Sequence, residues 1–192
     1  WSISPQLPDG DEPHYLIIAQ SLLRDGDLAI ENNHTRRDYH DYFEPFLKPD
    51  FLRRGVNGQI YSIHAPGLPA VVAPALALFG YPGVLVFLAL VSAGATALVW
   101  IAVWKVTGDA AASWFGWATV ALSAPFVFQA FTVYPDGLGA ALVMAGVLAS
   151  LSGRDISLRT LMATGGALAL LPWLHTRFSL TASALGVVML LR

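Results

Sequence analysis

Eight residues of this chain stand out as candidates to take a proton, hold an anion or bind a hydroxyl: Asp11, Glu12, His14, His64, Tyr134, Asp136, His175 and Arg177. Asp11 and Glu12 open the run Asp-Glu-Pro-His, where the backbone N–H groups and dipole of a starting helix favour negative charge. A carboxylate there can act as a base, or can simply cap the helix, a common role for Asp and Glu. Asp136 follows Tyr134-Pro135 at the head of an apolar run and has the same two readings, a solvated cap or part of a polar cavity. His175 and Arg177 lie in Trp173-Leu174-His175-Thr176-Arg177, between two apolar runs. An Arg at such a boundary takes an anionic partner, and phosphate matches its forked donors. Asp11, Glu12 and His14 are alternatively oxygen and imidazole ligands for a divalent metal ion.

Membrane helices are the elements expected to bring these scattered groups together. Of 192 residues, 55% are hydrophobic and 12% charged, unlike an ordinary soluble domain. Sixteen of the 24 Asp, Glu, Lys and Arg residues lie in the first 54 positions, and the other 138 positions carry eight. The expected fold is an all-α membrane protein, a polytopic helical bundle of about four to five spans. Residues 1–64 form an exoplasmic loop with an amphipathic juxtamembrane helix, and residues 65–192 form a partial transmembrane bundle. In the loop, Asp11 or Glu12 caps a helix, Pro13 suits its first turn and Asp25-Gly26 offers its stop. Tyr15, Leu16, Ile18, Ala19, Leu22 and Leu23 share one broad face, as in a helix lying on a membrane surface.

From Gly55 to Trp104 there is no Asp, Glu, Lys or Arg. Pro66, Pro69 and Pro74 make the first part a short kinked helix ending at Phe79-Gly80, interfacial or re-entrant rather than crossing. Pro82 opens a full span to about Trp104. After the Lys105–Asp109 turn a second span runs from about Ala110 to Phe131, kinked at Pro125. A third covers about Pro135 to Leu151, a fourth about Thr160 to Leu171, and a fifth begins near Phe178. Trp100, Trp104, Trp114 and Trp117 cluster at the turn as an aromatic belt. Lys105, Arg154, Arg159 and Arg192 outnumber Arg177 on the short connections, which places them in the cytoplasm. All eight candidate groups then face the opposite side, and their convergence is expected to make a site. Arg36-Arg37, Arg53-Arg54 and the stretch from Asp38 to Tyr42 read as solvated loop surface.

A net charge of −2 and the absence of any Lys/Arg run argue against nucleic acid as a partner. With no cysteine, disulfides and thiolate metal sites are excluded. Trp1 is not an initiator residue and no signal-peptide pattern precedes the polar segment, so the chain is expected to be a fragment, inactive alone.

The acidic pair before an interfacial helix, the His64-Ala65-Pro66-Gly67-Leu68-Pro69 segment entering a short Phe-Gly-terminated helix, and Tyr134-Pro135-Asp136 together resemble the GT-C glycosyltransferases. The likeness is to the bacterial protein-mannosyltransferase-like and aminoarabinose-transferase-like members, and covers nearly the whole chain through short, loosely spaced motifs. It implies Asp11 as the principal catalytic carboxylate in the first outer loop, with Glu12 beside it and Asp136 as a second. It also implies a polyprenyl-phosphate sugar donor; His14, His64, Tyr134, His175 and Arg177 are the residues expected to bind substrate. The acceptor would be a glycan, lipid or protein, and transfer would occur at the outer face of a bacterial inner (plasma) membrane. Some members of the superfamily use a divalent metal. Two departures stand out: no membrane helix precedes the acidic loop, and the family's His-Pro-Pro is here His64-Ala65-Pro66.

The expected reaction is attack by an acceptor hydroxyl on the anomeric carbon with polyprenyl phosphate leaving, Asp11 taking the proton and Arg177 with His175 holding the phosphate. Backside displacement in one step inverts the centre. The rival reading is a polytopic transporter or lipid-linked sugar flippase, whose polar groups would sit near mid-membrane rather than at span ends on one face.

Overall fold

A computed structural model describes residues 8–153 and 156–191, so the expectations resting on Trp1, Arg154 and Arg192 lie outside the described residues. Apart from one antiparallel bridge, Ala29 to Tyr61, the regular structure among the described residues is helical. The chain forms two compact units, Trp1–Leu85 with Thr132–Tyr134, and Val86–Phe131 with Pro135–Arg192.

In the first unit, α1 spans Glu12–Arg24, with Asp11 at the N-cap, Pro13 in the first turn and Asp25 at the C-cap. The Asp25 and Gly26 amides both donate to the Ser21 carbonyl, at 2.9 and 3.0 Å, and Gly26 takes the positive φ of 72° that such an ending requires. Start and stop therefore fall where the sequence puts them. The expected one-sided surface helix does not appear, because Glu12, Pro13 and Tyr15 through Ser21 are all buried. The cause is the following segment, which folds over α1 and covers the face meant for lipid. Ile18 packs with Ile30 and Ile60, flanked by Leu28 and Phe51, and the Tyr42 hydroxyl donates to Gln20 Oε1 at 3.1 Å.

Short α2, Glu31–Arg36, ends where Arg37 adopts the left-handed conformation at φ 56°. A 3-10 turn follows over Asp38–Asp41. The solvated reading of this stretch needs correction: Asp38, Tyr39 and Tyr42 are buried. Asp38 is satisfied there by Arg24 Nη1 at 2.6 Å, Arg36 Nη2 at 2.9 Å and Asn33 Nδ2 at 2.9 Å, so a nearly dry carboxylate has its lone pairs filled. Arg54 is likewise engaged, with Glu31 at 2.6 Å.

Helix α3, Gly67–Thr107, passes through both units and holds the expected break at Gly80, where φ 64° and ψ −163° leave the helical region. That conformation is essentially open to glycine alone. Pro82 adds to the break, since it has no N–H to return to the Leu78 carbonyl. The first arm, residues 67–79, rises roughly 20 Å and the arm after Gly80 roughly 40 Å, against about 30 Å of hydrocarbon. Within the first unit, Leu68 and Val72 of the short arm are fully buried.

The second unit contains α4 (Ala110–Ala121), α5 (Ala124–Gln129), α6 (Asp136–Leu151), α7 (Leu158–Leu174) and α8 (Phe178–Leu190). Asp109 caps α4 by accepting from the Ala111 and Ala112 amides. The second expected span is broken rather than kinked. Pro125 cannot donate to the Ala121 carbonyl, and the chain leaves the helix over Leu122 and Ser123 before α5 begins. Helices α6, α7 and α8 pack on one another. Gly139 makes the α6–α8 contact close: a Cβ there would lie 2.6 Å from the Phe178 ring. Among the described residues only α3 is both long and apolar enough to cross a membrane, while α6, α7 and α8 are apolar but shorter. Against the expectation of about four to five spans, the described residues hold one long helix and several shorter apolar ones: Pro125 breaks the 110–131 run and Pro135 sets the start of α6, while α7 continues through Pro172 to Leu174.

Candidate functional site

Five of the eight candidates meet in the first unit, across more than a hundred positions of sequence. Val133 donates its N–H to Glu12 Oε1 at 2.5 Å, and Asp9 donates to Glu12 Oε2 at 3.0 Å. Glu12 therefore ties the 132–134 segment to the start of α1, and both of its oxygens are occupied. Burial raises its carboxyl above the usual 4.5, opposed by the two amides and reinforced by the Asp9 charge. The adjacent Tyr134 hydroxyl accepts from the Asp11 amide at 3.2 Å. Gly10 permits this approach, since a Cβ there would stand 2.7 Å from that hydroxyl and its φ is +57°. Asp11, at the N-cap, makes no side-chain capping bond and is exposed. Of the two carboxylates, one is a buried brace and the other is left free.

Beneath them lies a ring cluster. His14 stacks on His64 with centroids 5.5 Å apart, and Tyr15 lies against His64 at 4.8 Å and edge-on to Tyr134 at 6.2 Å. His14 is held below the ordinary 6.5 by burial first and the neighbouring His64 second, against the pull of Asp50 and Asp11. The Nδ1 atom of His14 is buried without a hydrogen-bond partner. His64 Nε2 stands 3.3 Å from Asp50 Oδ2 without a hydrogen bond between them, an ion pair only when the imidazole is protonated. Asp50 was not legible as a site residue, because Lys48-Pro49-Asp50 looks like any polar turn. Its role follows only from the Ile63 amide donating to the Asp50 carbonyl at 3.1 Å, which draws it beside His64.

As a metal centre this set fits poorly. The oxygens of Glu12 face backbone amides, and among the described residues no group of three or more His, Asp or Glu side chains is arranged to hold an ion.

The other three candidates belong to the second unit. Arg177 Nη2 meets Asp136 Oδ1 at 2.6 Å, with the side chains 50% and 33% exposed. The Arg177 guanidinium also lies 5.1 Å over the Phe178 ring. The Arg177 amide donates to His175 Nδ1 at 3.1 Å, fixing the imidazole against the turn between α7 and α8. Arg177 thus has the anionic partner its position called for, in Asp136. One guanidinium N–H serves that pair, and a guanidinium carries five. Beside Asp136 a cavity of about 300 Å³ is lined by Ser92, Ser123, Phe126, Gln129 and Gly137.

Comparison with known protein families, with curated proteins and with solved structures found no match for this chain.

Proposed function

We propose that this protein is a membrane glycosyltransferase of the GT-C kind, moving a sugar from a polyprenyl-phosphate donor to an acceptor hydroxyl with inversion, at the outer face of a bacterial inner membrane. One observation carries the reading: five polar residues far apart in sequence meet in one unit, and within that cluster Asp11 alone has an exposed carboxylate with no partner of its own. That is the disposition a general base needs, a proton acceptor within reach of substrate and braced from behind. Glu12 and Tyr134 act as positioning residues, fixing the backbone on which Asp11 stands. In the reaction the acceptor O–H proton passes to Asp11, the acceptor oxygen bonds to the anomeric carbon, and the bond from that carbon to the phosphate oxygen breaks. In the second unit, Arg177 and His175 are suited to a lipid phosphate, Arg177 through the N–H groups that Asp136 does not use. The long α3 anchors the protein in the bilayer, and the shorter apolar helices complete the membrane bundle.

The test is to incubate membranes containing the full-length protein with polyprenyl-phosphate-linked monosaccharides radiolabelled in the sugar. Label should move to an acceptor fraction as free polyprenyl phosphate appears in equal amount. Release of neither product from any donor in a panel of sugars would rule the reading out.

A further inference from the structure

The first unit contains a second cavity, lined by residues outside the candidate set. A cavity of about 600 Å³ opens at the Gly80 break, between the end of α1, the turn after α2 and the two arms of α3. Its walls are largely apolar, from Leu23, Leu76, Ala77 and Pro82, and next to them Leu78 and Phe79 stand 73% and 71% exposed. A cavity of this size with a few placed polar groups is what small-molecule sites look like.

The polar groups decide what kind of molecule fits. Tyr42 uses its hydroxyl hydrogen on Gln20 Oε1, which leaves the Gln20 amide nitrogen as a donor with no partner among the described residues. The Asp41 carboxylate lines the same space and only accepts. Arg24 also lines it, but Arg24 and the Arg36 that shares Asp38 with it are set among three carboxylates, Asp25, Asp38 and Asp41, so the cluster has no surplus positive charge. An anionic head would meet Asp41 with no spare cation, and a cationic head would forfeit the Gln20 donor. A group that both donates and accepts, namely a hydroxyl, answers Gln20 and Asp41 together. Tyr81 supplies a ring to the wall.

We infer that the cavity at the Gly80 break binds an uncharged, polyhydroxylated amphipath, its hydroxyls on Gln20 and Asp41 and its aliphatic chain along Leu76, Ala77 and Phe79. The inference does not depend on glycosyl transfer. The same chemistry could come from a membrane glycolipid or from a soluble sugar, and the two differ in whether the chain is needed.

Photo-crosslinking tests this on the full-length protein in phosphatidylcholine nanodiscs. The probes are an alkyl glucoside carrying a diazirine in its chain and an alkyl phosphate with the same chain and diazirine. The glucoside should label residues 76–82 at least tenfold more than the phosphate, and free alkyl glucoside should compete while free glucose does not. Ala77→Trp, which fills the cavity, should abolish the labelling, and Gln20→Leu with Asp41→Asn should each reduce it several-fold while unfolding curves remain close to wild type. Equal labelling by both probes, or labelling that survives Ala77→Trp in a folded protein, would overturn the inference. Competition by free glucose at equal strength would keep the hydroxyl site and remove the lipid as its occupant.

Discussion

Individual residues divide the acidic pair into two jobs that sequence could not separate. Asp11 and Glu12 are neighbours at a helix start and look equivalent, yet Glu12 reaches back to two backbone amides while Asp11 faces out. The difference arises from the 132–134 segment, whose arrival no local pattern announces. His14 and Glu12 also leave opposite marks on stability. Because burial lowers the His14 pKa from 6.5, the unfolded chain takes up that proton first, so the stability His14 contributes is present above 6.5 and is lost as pH falls through its folded value. Because burial raises the Glu12 pKa from 4.5, its contribution is present below 4.5 and is lost as pH rises through its folded value. Urea unfolding of His14→Gln should therefore show a smaller loss of stability than wild type on acidification from about pH 7 to pH 5, while Glu12→Gln should show a steeper one. Identical slopes in all three proteins would mean that neither burial has the stated cost.

Among the elements, α1 and α3 show what periodicity can and cannot give. The bounds of α1 were legible in Asp11, Pro13 and Gly26, because caps are local chemistry. Its burial was not, because the residues that cover it, Ile30, Tyr42 and Ile60, sit in a segment without periodic pattern. The break in α3 was legible at Phe79-Gly80 through its prolines, and Gly80 carries it. Its φ 64° with ψ −163° admits a side chain only at a cost of about 1–3 kcal/mol. Gly80→Ala should accordingly destabilise the protein by about that amount, or straighten α3 and close the cavity beside it. Unfolding measurements together with the distance between spin labels on the two arms of α3 would detect either result. An Ala variant with wild-type stability and an unchanged distance would show that the break does not depend on Gly80.

Taken as a whole molecule, the protein combines a polar unit holding most of the chain's charge with a run of apolar helices. Composition announced the apolar part, and Pro125 and Pro135 within it set where two of its helices begin. The arm of α3 after Gly80 is long enough to cross a bilayer and the arm before it is not; on the proposed membrane reading, Asn57→Cys and Thr107→Cys should label from opposite sides of the membrane, Asn57 from outside. Labelling from the same side would mean that α3 crosses twice or not at all. The proposed role of Asp11 as base is tested by the rate of sugar transfer in Asp11→Asn of the full-length protein. The amide keeps the shape and cannot take the proton, so insertion and unfolding should match wild type while transfer falls by about a hundredfold or more. Wild-type turnover in that variant would contradict the account.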